Sequence, residues 1–175
     1  RRSGGQFTFT SFGHETVRPS IDFLQEVDRD DTREFRLVEI LHIEDDVNHM
    51  HIGSVGIFEG PAPNYGDFAD LVAGKLPLVP RYRQKVRFVP FDLGRPVWVD
   101  DSHFNLGYHL RHTALPPPGG DQELRNLVGR LMAQQLDRTK PLWEMWMVEG
   151  LQDGHWALVS KVHHCMVDGV SGSDL

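Results

Sequence analysis

The chain has 175 residues, a formal net charge of −7 and 39% hydrophobic residues. This acidic composition argues against a nucleic-acid-binding surface, which needs clustered positive charge, and no segment approaches the ~20 apolar residues that span a bilayer. The single cysteine, Cys165, excludes an internal disulfide and fits a reducing cytoplasm.

The first predicted elements follow a segment without a clear pattern. Residues 1–36 show no periodicity, and the sequence leaves open whether they are a linker, a disordered extension or an artefact of the gene model. Met50–Phe58 reads as a strand, in which Gly53 and Gly56 indicate close approach of another backbone segment. Asn64 is a plausible N-cap of a helix. Apolar residues recur after it at helical spacing: Phe68, Leu71, Val72 and Leu76.

The middle of the chain is basic and then rich in short elements. Pro77–Pro90 carries four cations, Arg81, Arg83, Lys85 and Arg87. They indicate either an edge strand that shows charge to water or a contact with CoA phosphates or a lipid surface, and the edge strand is the simpler interpretation. Further on, short strands are predicted at 96–99 and 106–110, and a loop is predicted at 116–120.

The C-terminal third has the clearest periodicity. Asp121–Arg138 is predicted to be a helix with one apolar stripe that faces the core. The stripe consists of Leu124, Leu127, Val128, Leu131, Met132 and Leu136. Trp143–Val148 and His155–His164 are predicted strands of a hairpin that brings His164 to the edge of the sheet. Trp143 and Trp146 are expected either in the core of this hairpin or along a channel, with the core preferred.

The most informative segment is 163–169, an HHxxxDG pattern that directly follows an apolar, alternating strand. Adjacent histidines are common in a chain with 10 histidines, but Asp168 and Gly169 at these spacings reduce the number expected by chance to roughly 0.005. Successive side chains of a strand point to opposite faces, so one histidine can reach a cavity while the other packs inside. Because an imidazole accepts and returns a proton near neutral pH, the pattern indicates general-base catalysis.

Simpler interpretations exist for most of these residues. The two histidines could be a structural pair that caps the strand, and Cys165 is better explained as a small buried residue than as a nucleophile. His49 and His51 share one strand face, as a surface or packed pair would. The histidines at 103, 109 and 112 have no ligand-spacing pattern, so no metal site is predicted.

Three ordered blocks resemble one family. HHxxxDG is the signature of acyl-CoA-dependent acyltransferases. The segments 141–144 (PLWE) and 50–54 (MHIGS) are similar to blocks of bacterial wax ester synthases and diacylglycerol acyltransferases. The resemblance runs from about Leu41 to Leu175. The family's usual block before the first strand is replaced here by Arg36–Ile40, and the match resumes at 41–44.

The resemblance implies an α/β fold, in α+β layers, with a mixed sheet and flanking helices. This would be one half of a two-domain fold like that of chloramphenicol acetyltransferase. Residues 37–175 would then be the N-terminal acyltransferase subdomain, truncated just after the motif, with the C-terminal half missing. The family's second histidine is the base, which assigns this role to His164 and a supporting role to His163. Asp168 would form a structural ion pair with an arginine of the missing half, although a role in orienting His164 is the alternative. Gly169 would let the chain turn.

The implied reaction is transfer of a long-chain fatty acyl group from acyl-CoA, a co-substrate rather than a bound cofactor, to diacylglycerol or a fatty alcohol. Two alternatives remain open: a related condensation-type or polyketide-associated acyltransferase, and a non-catalytic half that serves as a binding or assembly module. Substrates of this kind imply a cytoplasmic protein that can contact a lipid surface peripherally, either the inner membrane face or a lipid droplet.

Overall fold

The computed structural model describes residues 8–9, 44–45, 49–94 and 96–166. Seven strands lie within these ranges: β1 (Thr8–Phe9), β2 (His51–Phe58), β3 (Gln84–Arg87), β4 (Val97–Asp100), β5 (Leu110–Ala114), β6 (Trp143–Glu149) and β7 (Trp156–His163). The α-helices there are α1 (Tyr65–Lys75), α2 (Leu106–His109) and α3 (Asp121–Met132). Single 3-10 turns occur at Leu76–Leu78, Pro80–Arg83, Pro90–Asp92, Gln152–Gly154 and His164–Met166.

The main sheet is mixed, in agreement with the predicted fold class. Its strand order is β1-β2-β7-β6-β5, and β3 and β4 form a separate two-stranded sheet. Strand β7 is antiparallel to both of its neighbours, whereas β5 is parallel to β6. The hairpin of β6 and β7 is therefore confirmed. It does not bring the motif to the lateral edge of the sheet as predicted, because β2 adds outside β7 and makes β7 a central strand.

Helix α3 covers one face of the main sheet, here called the helix face. Leu124 and Leu131 pack in one core cluster with Val55, Val148 and Val159. Gly53 lies directly beneath this helix, and a Cβ added there would meet the Met132 Sδ at 2.5 Å. Another part of the chain does approach this glycine closely, but it is the Met132 side chain and not the backbone that the sequence predicted.

The opposite face of the sheet, here called the open face, is covered in part by aromatic residues. The Tyr65 hydroxyl of α1 donates to the Leu110 carbonyl at 2.7 Å, and Phe68 meets Trp156 edge-on. Trp143 is 2% exposed and its indole N–H donates to the Tyr82 carbonyl at 2.8 Å. This burial confirms that Trp143 belongs to the core.

Two predicted boundaries are wrong for identifiable reasons. The strand predicted at 106–110 is instead α2, because the Asn105 side chain caps a helical turn by accepting from the Gly107 N–H at 3.0 Å. The helix predicted to reach Arg138 ends at Met132. Leu136 continues the apolar spacing, but it is buried in a different cluster with Leu142 and Cys165.

The Asn64 cap is confirmed, whereas the prediction that the basic segment is an edge strand showing its charge to water is confirmed in part. Arg83 and Arg87 are exposed, but Arg81 and Lys85 are half-buried. The Asn64 side chain accepts from the Gly66 N–H at 2.8 Å. Strand β3 pairs only with β4 among the described residues, Lys85 contacts Asp101 at 2.9 Å, and Arg81 stacks over Trp98.

Replacing Gly119 should destabilise the fold. This glycine has φ of +73°, and a Cβ there would lie 2.0 Å from the Gly150 carbonyl oxygen. We expect Gly119→Ala to lower the free energy of unfolding by about 2 kcal/mol or more, measured by urea denaturation. The control is Gly129→Ala in α3, where a Cβ meets nothing within 4 Å and should stabilise by up to about 1 kcal/mol. Equal effects of the two substitutions would contradict this account.

Candidate active site at the end of the central strand

The two histidines of the motif differ in exposure. Strand β7 ends at His163, and a 3-10 turn, His164–Met166, follows immediately. His163 is fully buried, whereas His164 is half-buried. The ladder with β2 extends one residue beyond the strand, because the His164 N–H donates to the Met50 carbonyl at 2.8 Å. The backbone of the predicted base is thus fixed on the β2 side, while its side chain remains accessible.

The ring of His163 is held by its own turn. The Cys165 N–H donates to the His163 Nδ1 at 3.1 Å, which requires Nδ1 to be unprotonated. The proton of the neutral ring is therefore on Nε2, which faces the Glu44 Oε2 at 3.4 Å. This contact is long for a hydrogen bond, and we treat it as electrostatic. Burial lowers the pKa of His163 from its ordinary value, more than the neighbouring Glu44 carboxylate raises it.

Glu44 is a buried carboxylate that sequence analysis did not select. Its side chain is 2% exposed. Arg138 donates to Glu44 Oε2 from Nε at 2.9 Å and from Nη2 at 2.5 Å. Burial by itself would raise the pKa of Glu44, but the Arg138 hydrogen bond and the positive charges nearby outweigh burial and lower it. Glu44 is therefore negatively charged at neutral pH, and its charge lies next to His163 of the motif.

Cys165 agrees with its interpretation as a small buried residue. It is 3% exposed and packs in the core cluster with Leu142 and Val162. Burial raises the pKa of its thiol to about 12. Because the thiolate is the reactive form, this side chain is not a nucleophile at neutral pH.

Lys161, two residues before the motif, is also buried and was not selected from sequence. It is 2% exposed, and its ammonium donates to the Leu131 carbonyl at 2.9 Å and also to the Gln134 carbonyl. Burial lowers its pKa. These carbonyls lie at the C-terminal end of α3, where a cation is favoured. A lone lysine inside an apolar strand was the signal that could have identified it.

A small apolar pocket lies on the sheet just before the motif. Its volume is about 80 Å³. It is lined by Ile52, Gly53, Ser54, Tyr82, Trp143, Glu144, Met145, Ser160, Lys161 and Val162. The pair Ile52 and Val162 stands on adjacent strands directly before the turn that carries His164. The pocket therefore offers apolar surface two residues before the candidate base in the chain.

The other histidines considered from the sequence make structural contacts. His51 contacts the Met132 carbonyl through Nε2 at 2.9 Å, and its ring lies 5.6 Å from that of His49. His109 is 1% exposed, stacks on Trp143, and contacts the Trp143 carbonyl through Nδ1 at 2.8 Å. His112 pairs with Glu149 at 3.0 Å. Within the described ranges no group of three or more His, Cys, Asp or Glu side chains could hold a metal ion.

Two of the motif residues cannot be placed. Asp168 and Gly169 lie outside the described residues, so the predicted ion pair and turn stay predictions. Most of the unassigned N-terminal extension, residues 1–7 and 10–36, also lies outside the described residues. In the part of the chain that is described, no helix has the length and apolar character needed to cross a membrane.

Comparison with known proteins identifies the family. The family model of the wax ester synthase/diacylglycerol acyltransferase catalytic domain matches residues 38–175. The chain belongs to this family. A probable diacylglycerol O-acyltransferase, Tgs1, of Mycobacterium tuberculosis H37Rv is 46% identical over 137 residues, which cover 77% of the chain and 30% of that protein. Tgs3 from the same strain is 43% identical over 131 residues, covering 74% and 48%.

Solved structures agree with the fold of the acyltransferase family. The wax ester synthase/diacylglycerol acyltransferase of Marinobacter aquaeolei VT8 matches with a TM-score of 0.66 and 36% identity, over 83% of this chain and 36% of that one. The first condensation domain of the calcium-dependent antibiotic synthetase matches at 0.61 and 17% identity, over 82% and 35%, which shows the shared fold alone. The chain thus spans about a third of these structures.

Buried histidines should make the stability of this chain depend on pH. Burial lowers the pKa of His51, His109 and His163 in the folded state. As pH falls below the ordinary histidine pKa of ~6.5, the unfolded chain binds protons that the folded chain does not, so stability decreases. We expect the free energy of unfolding in urea to fall between pH 7 and pH 5, with up to about 1.4 kcal/mol per pH unit for each such histidine. His109→Gln should make the decline shallower, and a flat profile would contradict the assignment.

Proposed function

We propose that this chain forms the half of an O-acyltransferase that carries the catalytic base. The enzyme would move a long-chain fatty acyl group from acyl-CoA to diacylglycerol or a fatty alcohol. The observation that carries the proposal is that His164 is half-buried at the end of β7, two residues after Val162 of the apolar pocket, in a chain of this family. Its relatives are named as diacylglycerol O-acyltransferases and as a wax ester synthase.

In the proposed reaction His164 is the general base. Its imidazole removes the proton from the acceptor hydroxyl, and the oxygen attacks the acyl-CoA carbonyl carbon to form a tetrahedral oxyanion. Collapse of this intermediate breaks the carbon–sulfur bond and expels the CoA thiolate, which takes the proton back from His164. No acyl-enzyme is formed. This agrees with a Cys165 thiol that is buried and protonated.

The surroundings of the motif are suited to this role. The apolar pocket on the open face of the sheet can receive the first methylene groups of an acyl chain, and Trp143 and Val162 are its most buried apolar walls. On the other side, the neutral ring of His163 and the fixed Met50 carbonyl hold the backbone of the base. A base on a fixed backbone is held close to a productive geometry, which is the main requirement for proton transfer.

Replacing the base should abolish transfer without unfolding the protein. We expect His164→Ala in the full-length enzyme to lower kcat for palmitoyl-CoA by about a hundredfold or more. Thiol release with hexadecanol or a diacylglycerol as acceptor measures the rate, and circular dichroism checks the fold. His155→Ala, at the hairpin of β6 and β7, is the matched control. A folded His164→Ala variant with near-normal turnover would refute the assignment.

Two further tests vary the acyl donor and compare this chain with the full-length enzyme. A carrier-protein thioester accepted in place of acyl-CoA would favour the condensation-type alternative. This chain spans about a third of its relatives' length, and assaying it alone tests whether it is sufficient for transfer. Thiol release only by the full-length enzyme would indicate that the second half completes the site.

Peripheral contact with a lipid surface is part of the proposal. At the tip of the β3–β4 hairpin, Phe91 is 92% exposed and Leu93 is 83% exposed, close in sequence to Arg87. Exposed apolar residues beside a cation are suited to anionic lipid surfaces.

We expect substitution of both tip residues, Phe91→Ser with Leu93→Ser, to reduce co-sedimentation with phosphatidylglycerol vesicles several-fold. The apolar surface that would enter the lipid is then lost. Leu71→Ser, at a residue of α1 that is 59% exposed, is the control. Unchanged sedimentation of the double variant would exclude the hairpin as the contact.

A further inference from the structure

The buried carboxylate of Glu44 contacts both sides of the turn that carries His164. Oε1 accepts from the Met50 N–H at 3.3 Å, and the Met50 carbonyl accepts from the His164 N–H at 2.8 Å. Oε2 faces the His163 Nε2 at 3.4 Å, and the His163 Nδ1 accepts from the Cys165 N–H at 3.1 Å. Glu44 thus reaches the two consecutive peptide N–H groups of His164 and Cys165, each through one intermediate.

Burial of this carboxylate requires an explanation beyond packing. A buried charge is costly unless it is paired, and Glu44 is paired with a side chain outside the sheet, Arg138. Arg138 donates to Oε2 and also to the Glu44 backbone carbonyl at 3.2 Å. This fork fixes the position of Oε2, the oxygen that faces His163. Leucine would fill the same volume without any charge, so the acid is retained at a cost in desolvation.

The contacts also determine the tautomer of His163. Its ring can accept from the Cys165 N–H only while Nδ1 is unprotonated, and a carboxylate beside Nε2 favours the proton there. With the opposite tautomer, two N–H groups would face each other at 3.1 Å and the turn would lose its bond. The charge of Glu44 therefore favours the one ring form that closes the turn.

We propose that Glu44 is a positioning residue for His164, acting through His163 and Met50 to fix the turn on which the base stands. This inference rests on the proposed function, in which His164 is the base. Arg138 shares the task by holding the carboxylate. Neither residue is expected to touch the substrate.

The test compares four forms of the full-length enzyme with the wild type. These are Glu44→Gln, which keeps the shape but removes the charge; His163→Asn, whose Oδ1 can still accept from the Cys165 N–H; the double variant; and the control Glu59→Gln, at an exposed acid. We expect Glu44→Gln to lower kcat tenfold or more with KM within about twofold of the wild type. Glu59→Gln should leave both unchanged.

The double variant tests whether Glu44 acts through His163. If it does, the double variant should lose no more kcat than the worse single variant, because without the His163 ring there is no tautomer for the charge of Glu44 to select. Losses that multiply, or a Glu44→Gln enzyme as active as the wild type, would overturn the proposal. Thermal unfolding of each variant separates loss of geometry from loss of fold.

A spectroscopic measurement keeps the inference testable without any variant or activity. Two-bond proton–nitrogen correlations of the His163 ring in the wild-type enzyme should show the neutral form protonated at Nε2. A ring protonated at Nδ1 would overturn the proposal even if every variant failed to fold. An enzyme with the expected ring form but no His164-dependent transfer would instead refute the proposed function, so the two failures are distinguishable.

Discussion

The register of β7 between its two neighbours is the constraint on which the rest of the structure depends. Pairing on both sides fixes which residues face α3 and which face the open side of the sheet. A slip by one residue would exchange the two faces. Lys161 would then leave the carbonyls at the end of α3, and His164 would take the buried place of His163. The strand register therefore decides which histidine is accessible.

Two buried charges, those of Lys161 and Glu44, stabilise this register. Lys161 joins the strand to the end of α3, and Glu44 joins the end of the strand to Arg138. Removing one partner of a buried ion pair such as Glu44 and Arg138 typically costs about 3–5 kcal/mol, because the other charge is left without compensation. A slipped or partly folded strand would lose this pair's contact with His163 and the Lys161 hydrogen bonds at once. Burial of these two charges therefore favours the observed register of β7 over registers shifted by one residue.

Much of this arrangement could be predicted from local patterns. The alternation of β6 and β7, the Asn64 cap and the burial of Cys165 and Trp143 follow from periodicity and turn residues within a few positions. The error at Leu106–His109 came from overlooking Asn105 as a cap, and the error after Met132 came from reading Leu136 as part of a stripe whose partners lie elsewhere. The spacing of apolar residues predicts that a residue is buried, but it does not predict which element the residue packs against.

The parts that could not be predicted depend on distant pairs. Glu44 and Arg138 are 94 positions apart, and no local pattern marks either residue. The central position of β7 likewise depends on β2, which lies about a hundred positions earlier in the chain. The motif selected the candidate base from sequence, whereas the groups around it became evident only from the fold.

The single cysteine of this chain is buried within the motif. Chemical modification of its thiol would therefore measure local opening of the motif. The Cys165 thiol lies in the turn beside His164 and is sealed in the core, so a thiol reagent can reach it only when that turn separates from the sheet. Labelling kinetics would then give the free energy of local opening at the active site, separately from global unfolding. Conditions or ligands that tighten the site would be seen as slower modification of one sulfur atom.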